Sequence, residues 1–249
     1  AFAAVADDLN AIQYNPAGLA QLQGNNVSVT YLSYFQEINY GWMAYSLPST
    51  LLGPGTLGIS VGYLTLGGIE SRGLTDTDTA SSTFGASDLQ AALSYALKDV
   101  MDGLSLGFNL KVVSEAIDTT RATGFAADLG AFLTLKDLDP GLTVSVALQN
   151  LGTGLKFVSI TDPFPTTLKA GVAYKLLDGA MILAADADYA LADAKVSFRG
   201  GMEYWLQGMV APRIGYRVAP AGDLTTISGI GAGLGLRVSE LQLYYAFLP

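Results

Sequence analysis

Few side chains in this sequence could do chemistry. The 249 residues include no histidine and no cysteine, which removes the usual general base, the Ser–His and Cys–His nucleophile pairs and the commonest transition-metal ligand. Serine and aspartate are plentiful but lack such a base, so no catalytic residue is assigned and an enzyme is not expected. Asp76-Thr77-Asp78 resembles a run of oxygen ligands for a hard cation. It lacks the glycine and distal glutamate of a hand-like calcium loop, so a solvated acidic loop is expected, with no metal and no cofactor. Asp7-Asp8 reads as a cap on a helix or turn beside it.

The other charges have a pattern. Lys111, Asp128, Lys169, Lys175, Asp186, Asp188, Arg199, Glu203, Arg213, Arg217 and Arg237 each sit on the small, polar side of a stretch whose alternate residues are bulky and apolar. In Leu142-Thr143-Val144-Ser145-Val146-Ala147-Leu148-Gln149, the leucines and valines cover one face of a strand and the small or polar residues the other. A soluble barrel would turn the apolar wall inward. Here the apolar face carries the bulk and the charges share the opposite face with Gly, Ala, Ser and Thr, which is the pattern of a transmembrane β-barrel. A charge on the lipid face at mid-membrane costs about 2–4 kcal/mol, so the charges belong in the lumen. Their mixed signs fit either a water-filled pore or a salt-bridged, plugged interior.

Composition agrees. Half of the residues are apolar and only 14% are charged, against roughly 25% in soluble domains. No run approaches the roughly 20 apolar residues of a membrane helix, and strands in lipid satisfy their backbone only by closing into a ring. A net charge of −9 and the absence of a basic patch argue against a nucleic-acid partner. The opening Ala1-Phe2-Ala3-Ala4 has no features of a signal peptide. It reads as a mature or trimmed start of an exported protein of the bacterial outer membrane.

The elements that carry these residues fall into two parts. Residues 1–24 form an N-terminal segment with helical spacing of Phe2, Val5, Leu9 and Ile12, broken by a turn at Asn15-Pro16-Ala17-Gly18. Residues 25–249 read as the barrel. Its strands are predicted at Val27–Phe35, Asn39–Leu47, Thr56–Leu66, Ser87–Leu97, Leu104–Glu115, Ala122–Leu135, Leu142–Leu151, Thr166–Leu176, Ala180–Ala190, Lys195–Trp205, Met209–Arg217, Thr225–Arg237 and Leu241–Phe247. Tight connections alternate with longer ones, notably Ile69–Phe84 and Gly152–Pro165, as periplasmic turns alternate with external loops. Thirteen strands is an odd count where bacterial barrels have even ones, so a final strand is expected beyond this chain, making about fourteen.

Three further features bear on function. Glycines are dense on the inward face, among them Gly58, Gly62, Gly107, Gly130, Gly171, Gly215 and Gly229 to Gly235 at alternate positions. They serve either strand curvature and close approach of the N-terminal segment, or a cleared passage. Gly67-Gly68 marks either the end of the third strand or a bulge that bends it and opens the wall as a lateral gate. Tyr31, Tyr34, Tyr40, Trp42, Tyr45, Tyr174, Tyr204, Trp205, Tyr244 and Tyr245 read as an interfacial aromatic girdle.

The stretch Ala6-Asp7-Asp8-Leu9-Asn10-Ala11-Ile12-Gln13-Tyr14-Asn15-Pro16-Ala17-Gly18-Leu19-Ala20 resembles the opening of PorV/PorQ-type outer membrane proteins, within the FadL-like long-chain fatty acid transporter superfamily. Thr123 to Gly130, Gln149 to Gly152, Pro165 to Gly171 and Gly201 to Trp205 follow in the order that family would have them. The resemblance implies a barrel of fourteen strands with an N-terminal hatch in the lumen. Asn15, Pro16, Ala17 and Gly18 would be the hatch motif, and Leu9, Ile12 and Leu19 would face an apolar path. In the transporter branch a hydrophobic ligand leaves through a lateral gap in the wall; in the PorV branch the barrel holds or shuttles exported proteins. The expected partners are outer membrane lipid with either a small hydrophobic ligand or secretion and surface proteins. The leading expectation is a passive conduit for small hydrophobic molecules gated by the hatch. The alternatives are a PorV-like interaction partner and a plugged structural barrel.

Overall fold

Thirteen strands pair in sequence order, every neighbour antiparallel, in the computed structural model of the chain, which describes residues 1–34, 38–72, 80, 82–136, 138–218 and 229–247. They are β1 (Asn26–Ser33), β2 (Asn39–Ser49), β3 (Gly55–Ser71), β4 (Ser82–Met101), β5 (Leu104–Ile117), β6 (Thr120–Thr134), β7 (Leu142–Gly152), β10 (Thr167–Leu176), β11 (Met181–Ala190), β12 (Lys195–Tyr204), β13 (Val210–Val218), β14 (Ile230–Val238) and β15 (Leu241–Phe247). The connection after β7 holds a separate hairpin of β8 (Leu155–Lys156) and β9 (Thr161–Asp162). Two-residue strands are too short for an alternation to reveal, and the sequence showed only a loop there. Among the described residues, β1 and β15 each keep one edge unpaired and no fourteenth strand is present.

Alternation builds the wall. On β3, Thr56, Gly58, Ser60 and Gly62 are buried while Ile59, Val61 and Tyr63 are exposed; on β5, Asn109 and Lys111 are buried while Leu106 and Leu110 are exposed. Phe125 and Leu129 on β6 are more than half exposed, yet Asp128 between them and Asn109 opposite it are almost fully buried. A soluble protein would reverse this distribution. An apolar outer face with a polar inner one suits a wall standing in lipid.

The interior is filled by residues 1–24. A single α-helical turn, α1 (Ala11–Tyr14), is followed by a 3-10 helix over Pro16–Gln21. Ala6, Leu9, Ala11, Ile12, Ala17, Leu19 and Ala20 pack with Trp42, Ala44, Ala92, Ala96 and Phe132 of the wall into one apolar cluster. Ala4 and Val5 pack with Ala173 and Ile182 of the opposite wall. The sheet therefore curls around the segment.

The structure corrects several expectations. The helical spacing of Phe2, Val5 and Leu9 does not produce a helix there: the amides of Val5 and Ala6 turn back on the Phe2 carbonyl at 3.0 and 2.9 Å. The amides of Phe2 and Ala3 go instead to the wall carboxylate of Asp186, at 2.6 and 3.1 Å. These two amides would be unpaired donors in the first turn of any helix begun here, and the Asp186 carboxylate satisfies them from the wall. The Asp7-Asp8 reading holds in its turn form only: Asp8 accepts from the Asn10 amide at 2.7 Å and caps the turn leading into α1, whose own cap position, Asn10, makes no side-chain bond.

The segment read as a loop, Ile69–Phe84, is partly strand. β3 passes through Gly67-Gly68 by a bulge: pairing steps from Leu66↔Ala86 to Ile69↔Phe84, so β3 carries one residue more than β4. Gly68 takes φ +66°, which glycine adopts without strain. Asp76-Thr77-Asp78, and the part of the predicted twelfth strand from Thr225 to Ser228, lie outside the described residues.

Candidate functional site

Asn15 is the hub of the seated segment. Its side-chain amide donates to the Ala131 carbonyl on β6 at 3.1 Å and to the Ala3 carbonyl at 3.4 Å. Its Oδ1 accepts from the Ala17 amide at 3.1 Å and so caps the 3-10 helix, which Pro16 opens. One fully buried side chain thus ties wall, N-terminus and turn together. Gly18 lets the turn close on Ala6, since an added Cβ would stand 2.3 Å from the Ala6 Cβ.

The wall reciprocates with amides and glycines. Asn109 donates to the Ile12 carbonyl at 2.7 Å, and Gln149 donates to the carbonyls of Gln13 and Tyr14 at 2.8 and 3.2 Å. Gln13 in turn donates to the Tyr40 hydroxyl at 3.1 Å. These donors satisfy carbonyls at the end of the short helix. Strand alternation puts Asn109 and Gln149 on the inward face but carries no sign of what they hold, because their partners are backbone atoms more than ninety residues away. Gly107 and Gly130 lie directly under the motif: a Cβ on Gly107 would stand 2.3 Å from the Ala17 nitrogen, and one on Gly130 would stand 2.1 Å from Asn15 Oδ1.

The inward charges are largely paired across strands. Lys111 meets Asp128 at 2.6 Å with both side chains buried, and Asp128 also accepts from Asn109 and from the Asn150 amide. Asp188 lies between Arg199, at 2.6 Å, and Lys169, at 3.6 Å. Lys169 also approaches the face of Tyr14 at 5.4 Å. Glu203 pairs with Arg213, which stacks on Tyr244 at 4.2 Å. Arg237 stacks on Trp205 at 4.1 Å, and Arg217 is exposed on β13 across from Arg199. The charges form several pairs around the segment rather than one cluster, and no group of potential metal ligands occurs among the described residues.

Several of the aromatic residues assigned to a girdle point inward instead, among them Tyr40, Trp42 and Tyr244, which stacks on the inward Arg213 and lines the space beside the segment. Trp42 is buried in the apolar cluster with Tyr40 packed beside it, and both touch the space above Gly62. Strand position set their apparent place at an end; side-chain parity sets their face. Tyr31 and Tyr245 are exposed on the outside.

Beside the segment is a cavity of about 310 Å³, lined by Phe2, Val5, Asp7, Asp8, Ile182, Arg213 and neighbouring residues of β12 to β15. Gly67-Gly68 is not part of it. Instead the bulge lies beyond Asn39↔Thr65, the last β2–β3 pair among the described residues.

An inside-out, antiparallel wall curled around its own N-terminus defines the class: the chain has the fold of an outer membrane β-barrel. Among solved structures it is similar to the toluene transporter TodX of Pseudomonas putida, with a TM-score of 0.63 and 13% identity over 93% of this chain and 85% of that one. It also matches outer membrane phospholipase A of Escherichia coli with a TM-score of 0.43 and 15% identity, over 94% of this chain and 98% of that one. No protein-family model matches the sequence, and no curated protein matches it significantly.

Proposed function

We propose that the protein is a passive outer membrane conduit for small hydrophobic molecules, with the N-terminal segment as its hatch. The observation that carries this reading is the cavity between Phe2, Val5 and the wall of β11 to β14. It lies between the segment and β12 to β15, while the segment packs against β2 to β6 and, through Ala4 and Val5, against β10 and β11. The similarity to a toluene transporter supports the fold the reading requires. An apolar ligand would enter beside Phe2 and Val5 and pass as the segment shifts about its Asn15 anchor. The bulged stretch of β3 after Thr65, without a β2 partner among the described residues, is the proposed lateral exit to lipid.

The chain has no cysteine, which makes a direct test possible. Val5→Cys with Ile182→Cys would tether the segment to β11, which it packs against. Proteoliposomes carrying this variant should admit N-phenylnaphthylamine slowly when oxidised and at the wild-type rate when reduced. Wild-type flux no faster than that of empty liposomes would reject the conduit. Recovery of a stoichiometric protein partner from native membranes, with no flux, would favour the PorV-like role instead.

A further inference from the structure

Inward glycines divide into two groups. Gly107 and Gly130 are glycine because the N-terminal segment presses on them, and Gly171 is pressed by Asp186 Oδ1 at 2.8 Å from a Cβ placed there. Gly201 and Gly215 differ. A Cβ on either would meet no atom closer than 3.3 Å, so packing does not demand glycine at these positions. They pair directly in register, Gly201↔Gly215, and Gly215 pairs onward with Gly231. All three line the cavity, and Ala184, paired with Gly201, extends the row. The small residues here leave volume rather than admit the segment.

The cavity lining is mixed. Phe2, Val5, Ile182 and Ala184 supply apolar surface, and Asp7, Asp8, Glu203, Arg213 and Tyr244 supply polar groups, with Ile182 directly opposite Glu203 in register. Arg213 is already engaged, paired with Glu203 and stacked on Tyr244. Asp8 uses one oxygen on the Asn10 amide. Asp7 is exposed to the cavity and forms no ion pair with any described residue. The side chains thus present three carboxylates against one committed guanidinium.

We propose that this cavity binds a small molecule with an apolar body and a hydrogen-bond-donating head, an amine or an alcohol, and discriminates against carboxylates. The inference rests on the conduit reading and specifies its substrate class. A donating head placed at Asp7 and Asp8 forms charge-assisted hydrogen bonds in a confined, wall-lined space. A carboxylate there would meet the like charge of Asp7, Asp8 and Glu203. The volume of about 310 Å³ lies at the lower end of small-molecule sites and suits a single-ring body rather than a long acyl chain. Asp7 carries a carboxyl pushed up to about 6, first by its enclosure in the barrel and then by Asp8 and Glu203, which marks the same excess of negative charge.

Displacement of fluorescent aminonaphthalene from the purified barrel at neutral pH would test this with phenethylamine, phenethyl alcohol and phenylpropanoate, which share one body. The amine should bind roughly tenfold or more tighter than the carboxylate, as one charge-assisted hydrogen bond supplies, with the alcohol between. Asp7→Asn with Asp8→Asn should remove the amine's advantage and weaken the alcohol less, because the Asn Oδ1 still accepts its hydrogen bond. Gly215→Leu should weaken all three by filling the space. Equal or tighter binding of phenylpropanoate would overturn the proposal, and so would an amine preference that survives the double substitution. Liposome flux separates the two readings: selective amine binding without flux supports this site and rejects the conduit, whereas flux that favours phenylpropanoate leaves the conduit standing and rejects the site.

Discussion

Replacing Gly107 by alanine would put a methyl carbon 2.3 Å from the Ala17 nitrogen and 2.4 Å from the Pro16 carbonyl carbon. Both are backbone atoms of the 3-10 turn, so no rotamer change relieves the overlap. Non-bonded carbon contacts settle at about 3.5–4.0 Å, and the turn must therefore retreat from β5 by roughly 1 Å. That displacement stretches the Asn109 bond to the Ile12 carbonyl and lifts Asn15 from the Ala131 carbonyl, the two bonds nearest the contact. Overpacking of this kind costs about 1–3 kcal/mol. The strain exists only while the segment is seated, so it shifts the seated-to-unseated ratio by about 5- to 140-fold. Hydrogen–deuterium exchange reads this directly at the amides of Gly18 and Leu22, which donate within the turn to Asn15 and Leu19. Both should exchange faster by that factor while the β5 and β6 ladder amides stay protected. Gly215→Ala is the matched control, because its Cβ would meet nothing nearer than the Gly200 carbonyl at 3.3 Å. Equal acceleration in the two variants, or none in Gly107→Ala, would refute the argument that the segment is pressed against β5.

Other perturbations follow the same contacts. Asn15→Ala removes the bonds to Ala131, Ala3 and Ala17 and should destabilise seating by about 1–3 kcal/mol, seen as proteolytic cleavage within residues 1–24 of an otherwise intact barrel. Lys111→Met leaves the buried Asp128 carboxylate without its cation and should lower barrel stability by about 3–5 kcal/mol in denaturant titrations, with Asp128→Asn in the same chain recovering most of the loss. Seating should also depend on pH. The Asp7 carboxyl titrates at about 6 in the lumen against 3.8 when free, raised by enclosure, Asp8 and Glu203 and lowered by Lys175. Protonation therefore favours the seated state: protection of the segment should be greatest below about pH 4 and fall as pH rises through about 6, with Asp7→Asn flattening that profile.

How much was legible in the sequence varies from element to element. In Leu142–Gln149 the alternation assigned every side chain to its face, because a strand has one period and lipid tolerates only one choice of outer face. The predicted bounds of β5, β10 and β15 differ from the observed ones by no more than two residues. Where the pattern lapses, the reading left two outcomes: Gly67-Gly68 ended the visible alternation and marked either the strand's end or a bulge, and β3 takes the bulge, continuing along its partner β4. The sequence singled out Asn15, Pro16, Ala17 and Gly18 as a motif but could not say that Asn15 would reach Ala131, since the curl of the sheet makes that contact.

The sequence by itself determined the class of wall, the inward side of each strand and the separation of an N-terminal segment from it. Those are consequences of local periodicity and of solvent. Only the tertiary structure decided which glycines are pressed and which leave space, because Gly107 and Gly215 are the same residue at equivalent inward positions of their strands. They differ only in what lies opposite, the turn at Pro16 and Ala17 in one case and a cavity in the other. That difference is set by where the segment rests in the curled sheet, through contacts whose two ends are separated by up to 184 residues of chain, a distance over which no periodicity carries information.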